Sequence, residues 1–127
     1  MAISGNTDTL APNQTVDGST LPSSVTQIIG AGGDNVTLWQ NQVYQDGPGN
    51  NTINFIDYNN ETLGYWNATQ PVNINLQTGI VSNNGFGGID TIKGLQYLGY
   101  INLGNSNANL IGGQYACLLY TSDAADE

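Results

Sequence analysis

An all-β chain, folded as a parallel β-solenoid with Gly- and Asn-rich turns and almost no helix, is what this sequence predicts. Three observations predict it. Four segments follow one nine-residue template, with Asp or Asn sixth and Val or Ile eighth. Within pairs, they recur at close to two template lengths. No stretch keeps an uninterrupted helical period.

The composition admits such a fold. Of the 127 residues, 39% are apolar, with seven Tyr and two Trp, so one small domain can build a core. The 17 glycines and the many Asn read as turn chemistry, because both tolerate positive φ. With one Lys, no Arg and no His against ten acids, the formal charge is −9. Such a chain cannot neutralise phosphates, which excludes nucleic acid, and it does not suit anionic lipid. Cations are what it favours. No apolar run is long enough for membrane insertion, and no signal peptide stands at Met1–Gly5.

The template segments are 29–37, 46–54, 85–93 and 104–112. Their sixth positions are Asp34, Asn51, Asp90 and Asn109; their eighth are Val36, Ile53, Ile92 and Ile111. The step from Asp34 to Asn51 is 17 residues and from Asp90 to Asn109 it is 19, each one residue from a two-nonapeptide coil. The eighth positions are expected to point inward. Halfway round each coil, Val43 or Tyr44 and then Ile101 are expected to meet them from the opposite sheet. Between the coils, Val72, Ile74 and Leu76 alternate with amides as in a half-buried strand, and Gln77-Thr78-Gly79 turns the chain. The apolar run Ile92, Leu95, Leu98, Ile101, Leu103 crosses two glycines and reads as strand and turn. Residues 1–27, with Pro12, Asp17-Gly18 and Pro22, read as a loop-rich lead-in holding a weak half-repeat at Gly5–Leu10.

These glycine-rich nonapeptides resemble the RTX (hemolysin-type) calcium-binding repeat. The stretch Val72–Gly79 followed by Gly88–Leu95 resembles the segment that often sits between RTX coils. The resemblance covers roughly residues 28–113 and assigns 28–116 to a β-roll. It implies Ca²⁺ held by Asp34 and Asp90, with Gly30, Gly32 and Gly88 supplying backbone oxygens, the hard ligand set calcium prefers. At the equivalent positions Asn51 and Asn109 keep a carbonyl but lose the charge, and Asp46 is placed to compensate. On this reading the Asp34 carboxylate faces the Asn51 turn and Asp90 faces the Asn109 turn. The resemblance also implies a secreted or surface-attached extracellular bacterial protein, such as an adhesin, toxin or exoenzyme, of which this chain is a spacer.

Catalysis is not expected. Asp57, Glu61 and Asp90 show no spacing that singles out a hydrolytic carboxylate pair. Without His there is no common general base, and no glycine turn leads into a helix that could hold a phosphate. The rival to calcium binding is a metal-free solenoid that binds carbohydrate or another extracellular surface through Trp39, Tyr44, Tyr58, Tyr65 and Trp66. Thr37 and Thr52 do not keep the coil spacing, which weighs against a regular threonine ladder. Residues 117–127 lack Gly and Asn and hold the only Cys. They resemble translated adapter sequence and are expected to be a non-native tail that packs on nothing, the native chain continuing past 116.

Overall fold

The computed structural model describes residues 2–56, 61–103, 108–112 and 119–121. Its strands are short and nearly everything between them is turn. From the N-terminus they are β1 (Ala2–Ser4), β2 (Thr7–Thr9), β3 (Thr15–Asp17), β4 (Gln27–Ile29) and β5 (Asn35–Leu38). Then come β6 (Val43–Gln45), β7 (Thr52–Phe55), β8 (Thr62–Gly64) and β9 (Val72–Asn75). The last are β10 (Ile80–Asn84), β11 (Asp90–Lys93), β12 (Tyr100–Asn102), β13 (Ala108–Ile111) and β14 (Leu119–Thr121). Helix is limited, among the described residues, to single 3₁₀ turns at Gly18–Thr20 and Leu95–Tyr97.

The strands form two mixed seven-stranded sheets. The first runs β1-β2-β4-β6-β8-β12-β14, and the second β13-β9-β10-β11-β7-β5-β3. From β2 to β8 the chain changes sheet at every strand, and each strand lies parallel to the one two before it. Strand period then decides the core. In the second sheet Val16, Val36, Ile53 and Ile92 stand in one register column and all are buried. In the first sheet Ile28, Tyr44, Leu63 and Ile101 do the same. Burying each aliphatic of these columns stabilises by about 1.5–3 kcal/mol. The strand expected at 72–76, the turn after it and the inward Tyr44 and Ile101 are all present.

Behind β8 the pattern changes. The chain lays β9, β10 and β11 side by side in the second sheet, antiparallel, before returning to the first at β12. Gly79 makes this possible: it sits at φ +79, and a Cβ there would strike the Ile92 carbonyl. As a result β11 lies beside β7 and β13 beside β9.

Four expectations are corrected here. Asp90 and Asn109 do not lie on neighbouring strands, because β9 and β10 separate β11 from β13. Ile111 faces outward at 50% exposure. In that strand Leu110 pairs with the inward Ile74, a one-residue offset that reverses every side chain. Residues 11–27 are not only loop, since they contain β3, which pairs parallel with β5, and β4 follows at Gln27–Ile29. The C-terminal tail is not wholly unpaired, since Leu119–Thr121 runs parallel to β12. Residues 104–107, 113–118 and 122–127 lie outside the described residues, as do Asp57 and Tyr58.

Candidate functional site

Polar residues gather along one edge of the two sheets, where first-sheet strands end and second-sheet strands begin. The turns at 30–34, 46–51 and 85–90 stack there. Sixth-position residues Asp34 and Asn51 immediately precede β5 and β7, Asp90 begins β11, and all three are buried. Their side chains do one job three times. Asp34 Oδ1 accepts from the Gln14 N–H, Asn51 Oδ1 from the Asp34 N–H, and Asp90 Oδ1 from the Asn51 N–H, each at 3.0 Å. Each rung satisfies a backbone donor of the preceding turn, and at Asp34 and Asn51 burial would otherwise leave that donor unpaired. An acceptor oxygen is all this requires, so Asp and Asn interchange at the sixth position.

Asp34 therefore looks away from where it was expected. Its Oδ1 reaches back to Gln14, and its Oδ2 accepts from Ala31 N–H at 2.8 Å and Gly32 N–H at 3.1 Å. Toward Asn51 it offers only its own N–H. Asn109 is also elsewhere: its Nδ2 donates to Asn73 Oδ1 at 2.7 Å on the outer face. The structure brings together Asn51, Asp90 and Asp46, with Gly88 packed against the Gly49 carbonyl. Gly30 and Gly32 lie in the adjoining turn; a Cβ on Gly32 would strike the Pro48 carbonyl.

At the centre are two amide nitrogens among many oxygens. Asn51 Nδ2 lies 3.1 Å from Asp46 Oδ1 and from the Gly47 carbonyl. It is 3.3 Å from Asp90 Oδ1, and the Pro48 and Gly49 carbonyls follow at 3.4 and 3.5 Å. Asn84 Nδ2 donates to the Gly49 carbonyl at 2.9 Å and Asp90 Oδ1 at 3.0 Å, with the Gly47 carbonyl at 3.3 Å. Asn84 is held for this by its Oδ1, which accepts from the Phe86 and Gly88 N–H groups. Tyr65 closes the site from the first sheet, its hydroxyl donating to Asp90 Oδ2 at 3.2 Å.

Asp46 enters because its strand ends one residue early for an apolar side chain. By register it follows Gln45 as Gly30 follows Ile29 and Tyr65 follows Gly64, so it points inward. Burial first, then the neighbouring Asp90 carboxylate, pushes the Asp46 carboxyl well above the usual carboxylate range. Its Oδ2 has no partner among the described residues. Beside it Tyr44 fills the space that Gly30 leaves, where a Cβ would collide with the Tyr44 hydroxyl. That hydroxyl is likewise unpartnered, and burial and the surrounding carboxylates hold both Tyr44 and Tyr65 protonated. Among the described residues no three acidic, Cys or His side chains converge. Any cation here would need carbonyl and amide oxygens as well.

Compared with protein-family models, curated proteins and solved structures, the chain matches none of them.

Sequence reasoning missed Gln14, Asn84, Tyr44 and Tyr65 as members of this polar edge. Gln14 was hidden because Gln is not in the template. Asn84 stands one residue before its segment begins. Tyr44 was expected inward as an apolar filler and Tyr65 on a sugar-stacking surface, and both are fully buried beside the polar edge. Trp66 lies over Gly64 and is half-buried, as is Trp39.

Proposed function

We propose that this chain is a β-roll module of a larger secreted or surface protein, a rigid spacer and not an enzyme. The observation that carries the proposal is the ladder Gln14–Asp34–Asn51–Asp90, which ties coil to coil through 3.0 Å hydrogen bonds, the two inner ones buried. The repeated change of sheet from β2 to β8 and the inward columns support the roll. A charge of −9 with a single Cys, at 117, supports an extracellular setting. In this reading the amides of Asn51 and Asn84 stand where a cation would, and the module folds without metal.

Calcium binding is the second reading, and the excess of oxygens at that edge favours it. Two NH₂ groups offer four protons to Asp46, Asp90 and the carbonyls of Gly47, Pro48 and Gly49, and Asp46 Oδ2 takes none. Those residues would hold Ca²⁺, whose charge would offset the carboxylates. Circular dichroism and thermal melts in excess chelator and in millimolar calcium decide between the two. A cooperative melt in chelator, little moved by calcium, is expected. A chain unfolded in chelator and folded by calcium would make the ion the organiser and overturn the metal-free reading.

A further inference from the structure

The outer face of the second sheet carries a groove that no element of the described chain fills. It measures about 450 Å³, within the range of small-molecule sites, about 300–1,000 Å³. Strand β9 forms its floor, β10 and β13 its walls, and Thr78 one end. Cross-strand register fixes what faces what. Ile80, Asn75 and Ile111 form one row across the three strands, so two isoleucines bracket an amide. Both are exposed, at 40% and 50%. With neighbouring strands about 4.7–4.9 Å apart, they stand roughly 10 Å from one another. The next row is polar, Asn109 donating to Asn73 Oδ1 at 2.7 Å.

We infer that this groove binds a neutral pyranose oligosaccharide. No lining side chain is charged, although the protein as a whole carries −9. That field repels anionic ligands, and the groove offers cations no carboxylate. The Asn73 and Asn75 oxygens already accept from Asn109 Nδ2 and the Gln77 N–H, but an apolar peptide would bury their NH₂ groups without acceptors, which costs free energy. A pyranose suits both surfaces at once. Its hydroxyl edge pairs with the Asn73–Asn109 row, and its C–H faces pack on Ile80 and Ile111.

Saturation-transfer NMR on the whole chain tests this with cellotetraose, mannotetraose and an anionic tetragalacturonate. Binding of at least one neutral tetrasaccharide, and not of tetragalacturonate, is expected. Asn73→Ala and Ile80→Asp should each weaken it by about tenfold or more, while Thr15→Ala, on the same sheet outside the groove, leaves it unchanged. Both groove positions face outward, and circular dichroism verifies that each variant is folded. Failure of both neutral sugars to bind, equal binding of the anionic one, or undiminished binding by the folded groove variants would each overturn the inference.

Discussion

The two flanks of the second sheet use the same amide differently. Between β5, β7 and β11 the sixth-position side chains are buried and each satisfies a backbone N–H. Between β9 and β13 the corresponding residue, Asn109, lies on the outer face and, among the described residues, bonds another surface amide. Both come from the same nonapeptide position. A one-residue offset of β13 moves its Asn from the interior to solvent. Template position therefore carries no energetic meaning until register is known.

The contrast is sharpest in the eighth position. Ile53→Ala, in the buried column, should destabilise by about 2–5 kcal/mol, whereas Ile111→Ala should stay within about 0.5 kcal/mol. Urea denaturation of the two variants measures this directly. Equal losses would mean that the β13 offset is wrong.

The amides should separate by nearly as much. Asn51→Ala removes the acceptor for the Asp34 N–H and the donor shared by Asp46 and Asp90. Each buried group so orphaned costs about 1–3 kcal/mol. Asn109→Ala should be close to neutral by the same denaturation curves.

Space at the turns gives a third test. In Gly30→Ala the new Cβ meets the Tyr44 hydroxyl, which cannot move without disturbing the core, and a loss of about 1–3 kcal/mol is expected. Gly112→Ala adds a Cβ that meets nothing among the described residues and should leave the melting temperature unchanged.

The smallest effect is one of slope. The Asp46 carboxyl is raised in the folded state, so its contribution is fully present below its unfolded value, about 3.8, and is lost as pH rises through the folded value. Wild-type melting temperatures should therefore fall as pH rises through that interval, and Asp46→Asn should flatten the profile. A wild-type profile rising over the same interval would show that Asp46 is not kept neutral by its surroundings.

Much of the front of the molecule was legible in the sequence, because alternation and the template agree there. Val36, Ile53 and Ile92 are buried where the eighth position put them, and Val72–Asn75 is the strand its alternating amides suggest. The path behind β8 was not legible. Asp90 and Asn109 stand 19 residues apart and imitate a coil, but a local hairpin through Gly79 wins over the long-range register. The polar edge was legible only in part. Asp46 and Asp90 could be named as acids near turns. That Asp46 faces inward follows from where β6 ends, which no local pattern reveals.

The ladder also has a direction in time. Every rung uses an oxygen from a later turn to satisfy a donor on an earlier one, so a turn is complete only once its successor has arrived. For a chain made from its N-terminus the Gln14 donor waits 20 residues, Asp34 waits 17 and Asn51 waits 39. The longest wait adds little free-energy cost, since doubling a loop costs only about 0.6 kcal/mol. Its effect is on order: the β9–β10 hairpin can close by itself during the interval, while the middle of the molecule holds an unmet donor until Asp90 emerges. The centre of this module is thus finished after its flank has formed.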